Sequence, residues 1–102
     1  MSNQHLKDLR AALERSHWHV VEELPGNDIS ISGVWHMARP DGSHLFHLEF
    51  EGIDDLRVRP LEEAYGVNVR EAREIGAYFA RIGRTWPVEL ESFMDRLNQW
   101  AT

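Results

Sequence analysis

Hydrophobic residues follow a helical period at the two ends of the chain and an alternating period between them. Leu6, Leu9 and Leu13 recur three to four residues apart, which predicts an N-terminal helix with one apolar stripe, and Ser2 can cap it. From Trp18 onward apolar and polar residues alternate, which is typical of half-buried strands.

The alternating region predicts four strands joined by turns. The first strand is expected to begin near Trp18, and the other three to span about 29–37, 45–51 and 56–59, with turn residues at 25–28 and 40–43. Pro, Gly, Asn and Asp dominate these turns because each tolerates or presets a turn conformation. Two arginines of the fourth strand would stand beside acidic residues of the third, which supports the pairing.

The registers of two hairpins follow from keeping apolar side chains on one face, since a slip of one residue moves every side chain to the other face. If Arg39 pairs with His44, and Leu24 with Ile29, the inner face is apolar throughout. The facing pairs are then Met37 with Phe46, Trp35 with Leu48, Gly33 with Phe50, Val20 with Gly33 and Trp18 with Trp35. Glu22 is the misfit that this pattern places among apolar side chains.

The helical period returns in the last third of the chain. Asn68 can cap a helix that runs to about Ile82 and ends at Gly83, and Thr85 can cap a last helix. These elements predict a single α+β domain over residues 1–102 in the order α-β-β-β-β-α-α. The expected fold is a four-stranded antiparallel meander sheet with one N-terminal and two C-terminal helices packed mainly on one face.

Composition and charge narrow the classes of function. The chain has no cysteine and a formal net charge of −6. The absence of cysteine excludes disulfides, which fits a reducing cytoplasm. No apolar run is long enough to span a bilayer. The acidic balance disfavours nucleic acid, whose phosphates are bound by clustered Lys and Arg. A basic protein is the complementary partner, unless the charge serves solubility alone.

Histidines cluster around the predicted hairpins and suggest a metal site. Under the registers above His17 lies opposite His36, and His36 opposite His47, all on the face away from the core. His19 lies on the same side of its strand as His17, so three imidazoles could converge on zinc and leave a position for water. Zinc bound by His17, His19, His36 and His47 is one hypothesis. Histidines that are solvated or packed in an interface are the alternative.

The same outward face also suggests a protein interface. It mixes histidines with apolar side chains, and the residues predicted to form the interface are Val21, Val34, His36, Leu45 and His47. A homodimer formed across this face would cover them. Because protonation would bring like charges together, association is expected to be weaker at about pH 5.5 than at about pH 8.

Sequence motifs for catalysis are thin. Ser30, Ser32 and Ser43 lack the glycine-flanked elbow of a hydrolase nucleophile, and the glycines form no phosphate-binding motif. Adjacent carboxylates at 54–55 and 62–63 suit a turn and a solvated helix edge. No catalytic residue is predicted. The sequence favours a non-enzymatic binding protein that acts through protein contacts, and a His-liganded metal enzyme or small-ligand-binding protein is the alternative.

The segment DDLRVRPLEEAYGVNVREAREIGAYFARIGRTWPVELESFMDRL, residues 54–97, resembles the C-terminal half of small proteins of unknown function carried on integron gene cassettes in bacteria. In these proteins a strand leads through a Glu-Glu-x-Tyr-Gly segment to a helix, and then to a Trp-x-x-Glu-Leu helix. The resemblance implies a bacterial cytoplasmic α+β domain, often an oligomer, and carries over no functional residue. Small size and acidity are also typical of antitoxin and immunity-type proteins.

Overall fold

A five-stranded antiparallel sheet and two helices make up the part of the chain that the structure, a computed structural model, describes. That part comprises residues 4–26, 30–52, 61, 64–79 and 85–101. The elements are α1 (Gln4–Arg15), β1 (His19–Pro25), β2 (Ile31–Ala38), β3 (Phe46–Glu51), β4 (Gly66–Val69), β5 (Ala72–Tyr78) and α2 (Trp86–Trp100). The strands pair in chain order, so the sheet is a meander with β1 and β5 at its edges.

Both helices pack on one face of the sheet, which we call the inner face. A single hydrophobic cluster joins Leu13 of α1, Leu48 of β3 and Phe93 of α2. The predicted α+β class is therefore confirmed. The predicted arrangement of four strands and three helices is wrong in detail, because the described residues form five strands and two helices.

The two helices turn their apolar stripes toward the sheet. Their buried side chains are Leu6, Leu9, Ala12 and Leu13 of α1, and Trp86, Leu90, Phe93, Met94 and Leu97 of α2. Each fully buried leucine contributes roughly 1.5–3 kcal/mol. Thr85 stands at the predicted N-cap position of α2 but makes no side-chain capping hydrogen bond, whereas Ser2 and Gly83 lie outside the described residues.

The hairpin of β2 and β3 has the register that the sequence predicts. Met37 lies opposite Phe46, Trp35 opposite Leu48, Gly33 opposite Phe50 and His36 opposite His47. In the turn, Asp41 Oδ1 accepts hydrogen bonds from the backbone N and the Oγ of Ser43 at 2.9 and 2.6 Å. Gly42 has a φ of 84°, a conformation that glycine adopts without strain. Local turn chemistry and side-chain alternation thus specify the same pairing.

The predicted register of β1 against β2 is wrong by four residues at Val20 and by five from Glu22 onward. Val20 lies opposite Met37, four positions beyond the predicted Gly33. Trp18, which was predicted in the strand opposite Trp35, precedes β1 and is fully buried, with its ring centroid 4.9 Å from that of Phe46. Because Trp18 packs into the core beside α1, the strand begins after it.

A β-bulge between Val20 and Glu22 resolves the misfit in the sequence pattern. It moves Glu22 to a position opposite His36, on the face away from the helices. Leu24, which the alternation placed inward, consequently pairs with Val34 on that same face. One extra residue in a strand changes which face every following side chain occupies.

Residues 66–78 form a β-hairpin, so the helix predicted from Asn68 to Ile82 is wrong. The side chains buried in the core are Val67, Val69, Ala72, Ile75 and Ala77, and a second bulge between Asn68 and Val69 shifts the register. β4 pairs with β3 and satisfies backbone N–H and C=O groups that would otherwise form an open edge beside the core. Pairing of β3 therefore outweighs the helical spacing of this segment.

The fourth strand predicted at 56–59 and the carboxylate pairs at 54–55 and 62–63 lie outside the described residues. No helix of the described part combines the length and the apolar character needed to cross a bilayer.

Candidate functional site on the outer sheet face

The sheet face that points away from the helices, which we call the outer face, carries its side chains in rows across the strands. One row runs from Glu22 of β1 through His36 of β2 to His47 of β3. The adjoining row consists of Leu24, Val34, Glu49, Asn68 and Gly76, one from each strand in turn. Directly opposite residues on one face lie about 4.5–5.5 Å apart, so neighbours within a row are in contact range.

His36 and His47 form a stacked pair on the outer face. Their ring centroids are 4.6 Å apart and their planes differ by 7°. Glu71, in the turn between β4 and β5, holds His47: its Oε2 lies 2.7 Å from the ring Nδ1 and its Oε1 accepts from the backbone N at 2.9 Å. A carboxylate at Nδ1 favours the proton on that nitrogen and leaves Nε2 of the neutral ring as an acceptor.

The same contacts shift the titration of Glu71. Burial raises the pKa of its carboxyl, but hydrogen bonds from the ring and backbone of His47 outweigh burial and hold the pKa below the ordinary value of 4.5. Glu71 is therefore ionised throughout the range in which histidine titrates. Its contribution to stability is fully present above the unfolded pKa and is lost as the pH falls through the lower folded pKa.

A second polar cluster surrounds Glu49, which is 8% exposed. Its Oε2 accepts from Arg70 Nε at 2.9 Å, its Oε1 accepts from Asn68 Nδ2 at 3.4 Å, and Arg73 lies 3.8 Å away. The arginines expected beside Glu49 from residues 56–59 lie outside the described residues. Burying a carboxylate is costly unless it is hydrogen-bonded or paired with a positive charge. The β4–β5 hairpin supplies these partners to Glu49.

The residues predicted to form an interface occupy different environments. Val34 is 5% exposed although it is not part of the core cluster. Val21, in the bulge of β1, and Leu45, just before β3, are each 59% exposed. His36 and His47 are half-buried. Accessible apolar surface thus lies at Val21 and Leu45. The stacked imidazoles of His36 and His47 lie on the neighbouring strands β2 and β3.

The predicted zinc triangle is not formed. His17 lies in the turn after α1 with a φ of 65°, and His19 pairs with Ala38, so neither lies opposite His36. The triangle required the β1–β2 register that the structure corrects. Over the described ranges, no group of three or more His, Asp or Glu side chains is arranged to hold a metal ion.

Glu71, Arg70 and Arg73 were not predicted as site residues, because the spacing of apolar residues after Asn68 favours a helix there. The alternation of Val67, Asn68 and Val69 before the polar pair at 70–71 was the available signal for a strand followed by a turn. Comparisons with protein families, with curated proteins and with solved structures found no match to the chain. The resemblance to cassette-borne proteins therefore stays a prediction.

Proposed function

We propose that the chain is a non-enzymatic protein-binding domain that forms a homodimer through its outer face. The observation that carries this proposal is the stacked His36–His47 pair, which lies half-buried on a face that neither helix covers. The pair adjoins the apolar contact of Leu24 and Val34. In an isologous dimer the same patch of each protomer meets its copy.

The sheet edges favour contact through the face over strand addition. At β5, the Arg96 guanidinium of α2 donates to the backbone oxygens of Glu74 and Gly76 at 3.2 and 2.8 Å, so these acceptors are already engaged. At β1, the bulge at Val21 and the terminal Pro25 interrupt the edge. Bulges, prolines and covering side chains are the usual means by which edges avoid pairing.

Analytical ultracentrifugation tests the dimer. The wild-type chain is expected to sediment at twice the 11.9 kDa chain mass. His36→Lys places a permanent charge within the proposed contact and is expected to yield the monomer, because the ammonium would lose its hydration there and meet its copy across the dimer. Val88→Lys is the matched control, since Val88 is 70% exposed on α2, and it is expected to remain dimeric.

Far-UV circular dichroism shows that each variant is folded before its mass is interpreted. Leu45→Lys repeats the test at a second residue that the sequence predicts in the interface and is expected to weaken the dimer as well. A wild-type monomer at the highest soluble concentration contradicts the proposal. So does equal dissociation of the His36 and Val88 variants, since that would place the contact elsewhere.

A further inference from the structure

A groove of about 540 Å³ lies between α1 and α2. It is lined by residues of the two helices and by Ser16 directly after α1, and no strand residue lines it. Its floor is formed by the buried residues Ala12, Leu90 and Met94, and exposed side chains of both helices form its rim. The volume lies within the range of about 300–1,000 Å³ that is usual for ligand sites.

Hydrogen bonds between the helices hold the groove at both ends. At one end Trp86 Nε1 donates to Asp8 Oδ2 at 3.1 Å. At the other end Asn98 Nδ2 donates to Ser16 Oγ at 3.2 Å, and Asn98 Oδ1 accepts from Trp18 Nε1 at 3.1 Å. The groove is thus formed before any ligand arrives, and a ligand need not open it.

Carboxylates outnumber cations on the rim. Among the described residues, Asp8, Glu91 and Asp95 line the groove together with one cation, Arg15. Within the described part of the chain, Glu91 and Asp95 take part in no ion pair. Asp8 accepts two hydrogen bonds, and a carboxylate offers about four acceptor positions, so it can accept more. An apolar floor is therefore bordered by a negative rim.

We propose that this groove binds a basic amphipathic segment of a partner protein, with an apolar side chain on the floor and lysine or arginine side chains at the rim. Met94 suits the floor because its flexible thioether adapts to apolar groups of different shape. A second copy of the chain is a poor occupant, since its net charge of −6 is repelled by the rim. The groove shares no residue with the outer face, so this binding goes beyond the proposed homodimer.

The probe is a synthetic peptide of leucine and lysine with leucine at helical spacing. One comparison peptide has the same composition in scrambled order. A second comparison peptide has glutamate in place of lysine. Isothermal titration calorimetry is expected to detect tight binding of the first, weaker binding of the scrambled peptide, and none of the glutamate peptide. Backbone amide NMR shifts are expected to map to α1 and α2.

Charge variants locate the contact. Glu91→Lys combined with Asp95→Lys is expected to weaken binding about tenfold or more, because two rim charges then repel the peptide. Glu14→Lys combined with Glu74→Lys is the matched control, since both residues are exposed and neither lines the groove. This control is expected to change affinity far less.

Ala11→Gln provides a variant without a charge change. Ala11 is exposed and lines the groove, and glutamine is a good helix former, so the larger side chain obstructs the groove while α1 is kept. Weaker peptide binding is expected.

Several results would overturn the proposal. One is equal affinity for the scrambled peptide and for the peptide with leucine at helical spacing. Another is an equal loss of affinity in the double variant of the groove and in the control double variant. Both results would indicate unspecific attraction to an acidic protein. Spermine bound in the groove without any peptide binding would assign it to small polyamines instead. The test is independent of the homodimer, because His36→Lys is expected to bind the peptide as the wild type does.

Discussion

His5 is the residue whose surroundings tie its protonation to folding. Its ring on α1 lies 4.5 Å from that of Phe79, and among the described residues its buried Nε2 has no hydrogen-bond partner. Burial lowers the pKa of His5 below the ordinary value of 6.5, although the nearby carboxylate of Asp8 acts in the opposite direction. The fold therefore favours the neutral imidazole.

We expect the free energy of unfolding to decrease as the pH falls below 6.5, the ordinary pKa, because the unfolded chain binds the proton of His5 more readily. The contribution is complete above that pH and is lost toward the lower folded pKa. His5→Leu should therefore lose less stability than the wild type between about pH 7.5 and pH 5.5. Urea titrations at both pH values measure this difference.

His19→Gln, at an exposed position, is the control and should lose as much stability as the wild type. Equal losses in the wild type and in His5→Leu would refute the expectation.

Trp18 illustrates what sequence reasoning at the residue scale identifies and what it misses. Its apolar character and burial are foreseeable. Its partners are not: the Arg39 guanidinium lies 3.8 Å from the ring centroid and donates to the Ser16 backbone oxygen at 2.6 Å. Asn98, which accepts from the indole, is 80 positions away in the chain. Contacts at such separations depend on the sheet register and helix placement, which local patterns do not encode.

At the scale of elements, the β4–β5 hairpin marks the limit of periodicity. Ala72, Ile75 and Phe79 are spaced as on a helix, yet strands bury two of them in the core and pack the third against it. The β2–β3 hairpin was predictable because its turn and its alternation agree. β4 and β5 form instead because the backbone N–H and C=O groups of β3 require a pairing strand, and this requirement is a property of the sheet.

Gly76→Ala distinguishes the two structures by the sign of its effect. In a helix this change would stabilise the chain by about 0.8–1.0 kcal/mol. On β5, a Cβ would lie 2.9 Å from the backbone oxygen of Val67, so we expect a loss of about 1–3 kcal/mol. Chemical denaturation measures the change.

Gly33→Ala is the control for Gly76→Ala. Its Cβ would meet the mobile end of the Leu61 side chain at 3.3 Å, so its effect should be smaller. A higher unfolding free energy for Gly76→Ala would contradict the strand.

At the scale of the whole molecule, the chain presents two separate surfaces, the outer face and the groove. The sequence placed His36 and His47 on one face because a local hairpin brings them together. It did not reveal the groove, because α1 and α2 come from opposite ends of the chain and the bond between Asp8 and Trp86 spans 78 positions. Charge is a property of the same scale: the net charge of −6 complements the basic segment that we propose for the groove.

The outer-face dimer is expected to dissociate more readily at about pH 5.5 than at about pH 8. The carboxylate of Glu71 lies 2.7 Å from the His47 ring and can balance a charge there, so the expectation concerns His36. The cross-strand neighbour of His36, Glu22, is exposed, where water screens its charge. An isologous contact brings the two His36 rings into one interface, where like charges would repel.

Light scattering at both pH values measures the mass, and circular dichroism verifies folding. His36→Gln should abolish the pH difference, whereas His17→Asn, in the exposed turn, should keep it; an unchanged mass, or a larger one at low pH, would contradict this expectation.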